Sequence, residues 1–253
     1  MRKLIPLTLA LLLAPVPAEG WTREWGEYRV SLTEEYPSES AADVGYLTER
    51  LVVSRGGETL VEITDEHISV SFPELTGQGA PELFVETYSG GAHCCFGYHV
   101  YTQDYGPLDN LIEGNWGSGG FREMKDLDGD GRDELVLIHI YEYLDGVCFA
   151  CSPALLRVFA WEDFRFADVT KRLPAETRKL MREALSSLDS EGYGPYRFGH
   201  AATYWVNAVA LGEGEAAWKL LSGRLEPHIM EKLKRNRVEL MRPFSALPGT
   251  RMR

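Results

Sequence analysis

The chain has 253 residues, with 38 acidic against 26 basic side chains and a formal net charge of −12. That balance argues against nucleic acid and anionic membrane as partners, because phosphate contacts need basic side chains. It suits a protein that binds cations, and the length allows one large domain or two small ones.

Residues 1–18 have the order of a secretory leader. Arg2 and Lys3 come first, an almost wholly apolar run covers 4–13, and Ala14-Pro15-Val16-Pro17-Ala18 follows with small residues and helix breakers. A signal peptidase reads such a tract, and the expected cut follows Ala18. An apolar core of about ten residues is too short for roughly 30 Å of hydrocarbon, and no later stretch reaches the 18 or so apolar residues of a membrane helix. No cysteine follows the run, which argues against a lipid anchor. The mature chain is expected to be periplasmic or secreted and not membrane-spanning. Loss of Arg2 and Lys3 moves its charge from −12 to −14.

Residues 19–172 read as a β-rich domain. Alternating apolar and polar residues predict strands at 28–32 and 47–53, and Gly56-Gly57 predicts a hairpin into 58–63. Further strands are expected at 68–72, 82–88, 97–102, 134–141, 155–160 and 164–169. The composition changes at Leu173-Pro174, and residues 173–243 read as a helical region. Apolar side chains recur at helical spacing over 174–188, 198–211, 213–221 and 226–241. Residues 244–253, with Pro248 and Gly249, read as a flexible tail. The fold class is therefore α+β, an antiparallel β-rich repeat domain followed by helices.

The middle of the chain repeats itself. Glu74-Leu-Thr-Gly-Gln-Gly-Ala-Pro-Glu-Leu83 aligns without a gap on Asp126-Leu-Asp-Gly-Asp-Gly-Arg-Asp-Glu-Leu135, 52 residues later. Each copy leads into an apolar strand, a connection with two cysteines, and a second strand. A period near fifty residues with several strands per unit is that of a propeller blade or a similar sheet module. Two copies are too few to close a propeller ring, so an open sheet or a sandwich fits equally.

The second copy carries the strongest chemical signal. Calcium takes six to eight oxygens at roughly 2.3–2.6 Å. Asp126, Asp128 and Asp130 stand at alternate positions, and Gly131 allows a tight turn that brings the Arg132 carbonyl to the ion. Glu134 can close the shell directly or through water. Four carboxylates within nine residues repel one another unless a cation neutralises them. An EF-hand would need Glu at position 12, where Leu137 stands inside a strand. The first copy has Glu74, Thr76, Gln78 and Glu82 at the equivalent places and reads as the same turn held without metal.

Asp-x-Asp-x-Asp-Gly-x-x-Glu followed by Leu-Val-Leu-Ile resembles the loop of FG-GAP or VCBS repeats of integrin-like propellers, over about residues 72–169. The resemblance implies Ca2+ as the cofactor, Asp126, Asp128, Asp130 and Glu134 as side-chain ligands, and Arg132 as a backbone ligand.

Cys94, Cys95, Cys148 and Cys151 favour disulfides in an exported chain. Neighbours pair only with strain, so Cys94 and Cys95 are each expected to bond across to Cys148 or Cys151. A zinc site formed by His93-Cys94-Cys95 and Cys148-x-x-Cys151 is the alternative. Ser89-Gly-Gly-Ala-His-Cys-Cys95 contains nucleophilic residue types but lacks the first glycine of a Gly-x-Ser-x-Gly elbow, and a glycine-shaped loop explains it as well. His99 and His139 are expected to pack within strands. Trp21, Trp25, Trp116 and Trp161 are either core or a sugar-binding face. The basic run 232–237 is either a solvated helix face or a surface that docks on the acidic sheets.

Three functions fit these features. The first is an exported calcium-binding repeat protein, a non-enzymatic binding or scaffold protein whose partner is an envelope protein or polysaccharide. The second is a hydrolase of envelope polymers using His93 or the acidic loop. The third is an inhibitor or adaptor of another secreted protein, acting through the helical region. No catalytic set is assigned.

Overall fold

The computed structural model describes residues 20–36, 47–91, 95–104, 108–115, 119–190 and 194–242. The leader expected at 1–18, His93, Cys94, Trp116 and the tail expected at 244–253 lie outside the described residues. Three four-stranded antiparallel sheets precede the helices, so the fold is α+β with a β-rich N-terminal part. The chain forms two compact units, Met1–Thr64 and Asp65–Arg253. The boundary expected at 172/173 marks where strands give way to helices, inside the second unit.

The first unit holds the meander β1 (Trp21–Trp25), β2 (Tyr28–Glu35), β3 (Thr48–Arg55) and β4 (Glu58–Asp65). Tyr28 and Val30 alternate with exposed Arg29, and Val30 stands opposite Val53 as Leu32 does opposite Leu51. Tyr28, Val30, Leu51 and Val53 are fully buried on one face. Gly56 and Gly57 turn β3 into β4 with left-handed φ values of 59° and 88°, the hairpin read from the sequence.

The second unit contains two more meanders with matching order. The first comprises β5 (His67–Ser71), β6 (Leu83–Tyr88), β7 (Phe96–Thr102) and β8 (Asp109–Asn115). The second comprises β9 (Gly120–Lys125), β10 (Glu134–Ile140), β11 (Ala154–Glu162) and β12 (Arg165–Asp168). The registers agree at the repeat offset: Ser71 faces Phe84, and Glu123 faces Val136. Each of the two aligned loops joins the first two strands of its sheet. Phe84, Tyr98, Val100 and Ile112 of the first meander form one core with Leu135, Leu137 and Phe159 of the second. The alternate face of the second meander, Val136, Leu156, Val158 and Ala160, buries Val169, Leu173 and Leu180.

The helices are α1 (Ala175–Ser190), α2 (Gly194–Ala210), α3 (Gly214–Ser222), α4 (Pro227–Arg235) and α5 (Arg237–Leu240). Proline at the start of α4 and beside the start of α2 occupies a first turn, where its missing N–H has no helical partner to lose. The single helix expected at 226–241 is broken at Asn236, whose side chain donates back to the Lys232 carbonyl at 2.9 Å. Helix residues Phe198, Ala201, Trp205, Leu221 and Leu233 share a core with Leu155 of β11 and with Tyr141 and Val147 of the β10–β11 connection. Each large apolar side chain buried there contributes about 1.5–3 kcal/mol. Among the described residues, no helix is long and apolar enough to cross a membrane.

Strand β12 is shorter than β11, so the edge of β11 at 154–158 lacks a strand partner there. Side chains complete it. Asn207 of α2, itself fully buried, accepts from the Leu156 N–H at 2.9 Å and donates to the Ala154 carbonyl at 2.8 Å. Thr203 accepts from the Ala154 N–H at 3.0 Å, and Thr170 accepts from the Val158 N–H at 3.0 Å. A carboxamide presents the same acceptor and donor as a peptide group, so Asn207 stands in for the missing strand.

Candidate metal centre

The loop before β10 is built from carboxylates that turn back onto its own backbone. Asp126 accepts from Gly129 N–H at 2.6 Å and, through its other oxygen, from Gly131 N–H at 3.0 Å. Asp128 accepts from Asp130 N–H at 3.1 Å, and Asp130 from Arg132 N–H at 2.9 Å. Gly129 and Gly131 have φ values of 83° and 88°, a left-handed region that suits glycine. The result is a cluster in which one oxygen from each of Asp126, Asp128 and Asp130 lies within 4.8 Å of the others.

Arg132 is the cation beside them. Its Nε donates to Asp130 Oδ2 at 3.0 Å, its Nη2 meets the same oxygen, and its Nη1 donates to the Trp161 carbonyl at 2.9 Å. Hydrogen bonds from the Arg132 side chain and N–H hold the Asp130 carboxyl below its ordinary pKa. Glu134 stands apart from the cluster, at the head of β10 and 2% exposed. Its Oε2 accepts from the Leu127 N–H at 2.8 Å. Burial raises its pKa against that bond, and the charges of Asp128, Asp130 and Asp126 push the same way as burial.

The first copy shows what this architecture needs without the aspartates. Glu74 accepts from Gly77 N–H at 3.0 Å, Thr76 Oγ1 from Gln78 N–H at 3.4 Å, and Glu82 Oε2 from Leu75 N–H at 2.8 Å. These are the equivalents of the Asp126, Asp128 and Glu134 bonds, each 52 residues earlier. Glu82 is fully buried and also accepts from Thr76 N–H and from the hydroxyls of Thr76 and Thr102. Burial raises its pKa, with these four bonds opposing. Position nine is therefore a tie between strand and turn in both copies.

The two turns lie side by side. Asp133 N–H donates to the Glu74 carbonyl at 2.5 Å, and Glu74 N–H donates back to Asp133 Oδ2 at 3.1 Å. Arg132 crosses Gly77 so closely that a Cβ there would fall 2.7 Å from Arg132 Cδ. An open cavity of about 420 Å³ lies at this junction, lined by Thr76, Gln78, Arg132, Trp161, Glu162, Asp163 and Phe164. Three hard oxygen donors converging in one turn, with a buried carboxylate behind them, match the donor chemistry of Ca2+.

The cysteines correct an expectation. Cys148 is joined to Cys151, not across to Cys94 or Cys95. A short 3₁₀ turn brings the two together, with Cys151 N–H donating to the Cys148 carbonyl at 2.9 Å and the Cα atoms 5.0 Å apart. That separation suits a disulfide, so the local pairing prevails. Cys95 is also disulfide-bonded. In this oxidised state these sulfurs are not thiolate ligands, which removes the zinc alternative.

The remaining expected residues have structural surroundings. His139 packs edge-on against Tyr141, and burial lowers its pKa although the charges of Glu142 and Glu239 oppose this. His99 lies in β7 beside Tyr101. Ser89 N–H pairs with the Cys95 carbonyl across the β6–β7 connection. Trp25 and Trp161 are buried, while Trp21 is 38% exposed. The basic run is used within the unit: Lys232 and Arg235 both reach Asp145, and Arg237 lies over the rings of Trp205 and Trp218. Burial opposes the Asp145 charge, but hydrogen bonds from Arg235 and Asn236 and the nearby Lys232 hold its pKa below the usual range.

No family model matches the chain, and no solved structure matches it. A probable thylakoid lumen protein of Synechocystis is 28% identical over 151 residues, which is 56% of this chain and 43% of that protein. The chain thus spans less than half the length of this relative.

Proposed function

We propose that this is an exported, non-enzymatic binding or scaffold protein whose FG-GAP/VCBS-like loop holds one calcium ion. Asp126, Asp128 and Asp130 supply side-chain oxygens, Arg132 its carbonyl, and Glu134 its second oxygen, directly or through water. The observation that carries this reading is the convergence of the three aspartates within 4.8 Å. The lumen assignment of the Synechocystis relative and the disulfides support a compartment outside the cytoplasm. The ion's role is structural: it neutralises the turn that spaces β9 from β10 and, through Asp133 and Glu74, the neighbouring turn. The partner is an envelope protein or polysaccharide.

Calcium titration followed by thermal unfolding tests this. At a hundredfold excess over Kd, binding to the native state alone adds about 2.7 kcal/mol. For a chain of this size that raises Tm by roughly 5–10 °C. Asp128→Asn keeps the turn bond to Asp130 N–H and removes a charged ligand, so it should lose most of the gain. Equal shifts in wild type and variant would remove the site.

A further inference from the structure

We propose that Cys148–Cys151 is a thiol–disulfide exchange site, open to attack at one sulfur and sheltered at the other. The two ends of the bond differ sharply in surroundings. Cys148 is exposed, whereas Cys151 is 2% exposed and belongs to the core shared with Phe198, Ala202 and Trp205. Helix α2 approaches Cys151 so closely that a Cβ on Gly199 would fall 2.1 Å from the Cys151 carbonyl oxygen. The spacing Cys-Phe-Ala-Cys closes a loop with a sequence separation of three. A loop that short restrains the unfolded chain far less than a long one, so stapling is a weak reason for the bond. The surface beside Cys148 is also suited to a visitor, since Tyr143 is 52% exposed with its ring 6.1 Å from that of Phe149.

The reaction is a two-electron exchange with a dithiol. A thiolate of the dithiol attacks Sγ of Cys148 and breaks its bond to Cys151. The leaving Cys151 sulfur takes a proton, because an apolar core disfavours the thiolate. The second thiol of the partner then attacks the mixed disulfide, which leaves the partner oxidised and Cys148 reduced. The buried Cys151 stays against α2 throughout, poised to re-form the bond on oxidation. Asp145, tied to Lys232 and Arg235, and Tyr141, whose hydroxyl donates to the Leu240 carbonyl at 2.8 Å, keep the rest of the connection docked on the helices.

Differential alkylation of the full native chain tests the site. After mild reduction with dithiothreitol, iodoacetamide should label Cys148 roughly tenfold or more faster than Cys151, as peptide mapping by mass spectrometry reads it. Cys151→Ala keeps a small apolar side chain in the core, and with glutathione disulfide this variant should form one mixed disulfide at Cys148. Equal labelling of the two sulfurs would overturn the proposal. So would a Cys148–Cys151 bond that opens only in denaturant, at the midpoint of global unfolding.

Discussion

Asn207→Leu tests whether a helix side chain completes the second sheet. The substitution keeps the approximate volume and removes both functions of the amide. Leu156 N–H and the Ala154 carbonyl then lose partners at 2.9 and 2.8 Å, in a place where Asn207 itself is fully buried. The third bond, to the Thr203 carbonyl at 2.7 Å, lies within the helix and matters less. Each buried polar group left without a partner costs about 1–3 kcal/mol, so the variant should lose about 2–6 kcal/mol. At about 2–4 °C per kcal/mol, a mid-range loss lowers Tm by roughly 8–16 °C. Circular dichroism during heating, with urea unfolding alongside, measures it. Asn207→Asp adds a sign. Only its protonated carboxyl can donate to the Ala154 carbonyl, so its stability should be greatest in acid and fall as pH rises. A drop below about 2 °C for Asn207→Leu would refute the surrogate-strand account.

Glu82 should give a pH signature of its own. Its folded pKa is raised by burial, so its contribution is fully present below the unfolded pKa and is lost as pH rises through the folded one. The stability difference between wild type and Glu82→Gln, followed by urea unfolding across that range, should therefore change with pH; a flat difference would contradict the assignment. A fragment ending at Leu173 should fail to unfold cooperatively, because Tyr141, Val147 and Leu155 lose their helical core and Asn207 is gone. A sharp calorimetric transition from that fragment would show that the sheets stand alone.

The inner strands are the most legible in the sequence, and the edge strands β4, β5 and β12 are read from it as well. The inner strands β2, β3, β6, β7, β10 and β11 all alternate or run apolar, and their expected bounds lie within a few residues of those observed. Strands β1, β8 and β9 are not among the expected ones, and each is an edge of its sheet. β1 buries Trp25 alone among its five residues, so no periodicity is written there. The aspartate turn was readable because its chemistry is local. The tie made by Glu134 was not, since it depends on a backbone N–H seven residues back. One signal for it is present: of the four ligand positions, only this one has the same residue in both copies, Glu82 and Glu134. The cysteines misled because vicinal spacing favoured long-range pairing, while a 3₁₀ turn between Cys148 and Cys151 decided the matter locally.

The completion of the β11 edge also bears on how molecules of this protein behave toward one another. An open strand edge offers a row of donors and acceptors on which a second chain can add, and that is how many sheet proteins come to associate. Here four of the five residues at 154–158 are apolar, Arg157 being the exception, and Leu155, Leu156 and Val158 are all buried. Left bare, it would be a template for intermolecular β-pairing. Asn207, Thr203 and Thr170 consume its hydrogen bonds with side chains that cannot propagate a sheet, because they end in a helix and a turn rather than in another extended backbone. The helical region thus acts as a colloidal safeguard, ending the sheet where its last strand runs short.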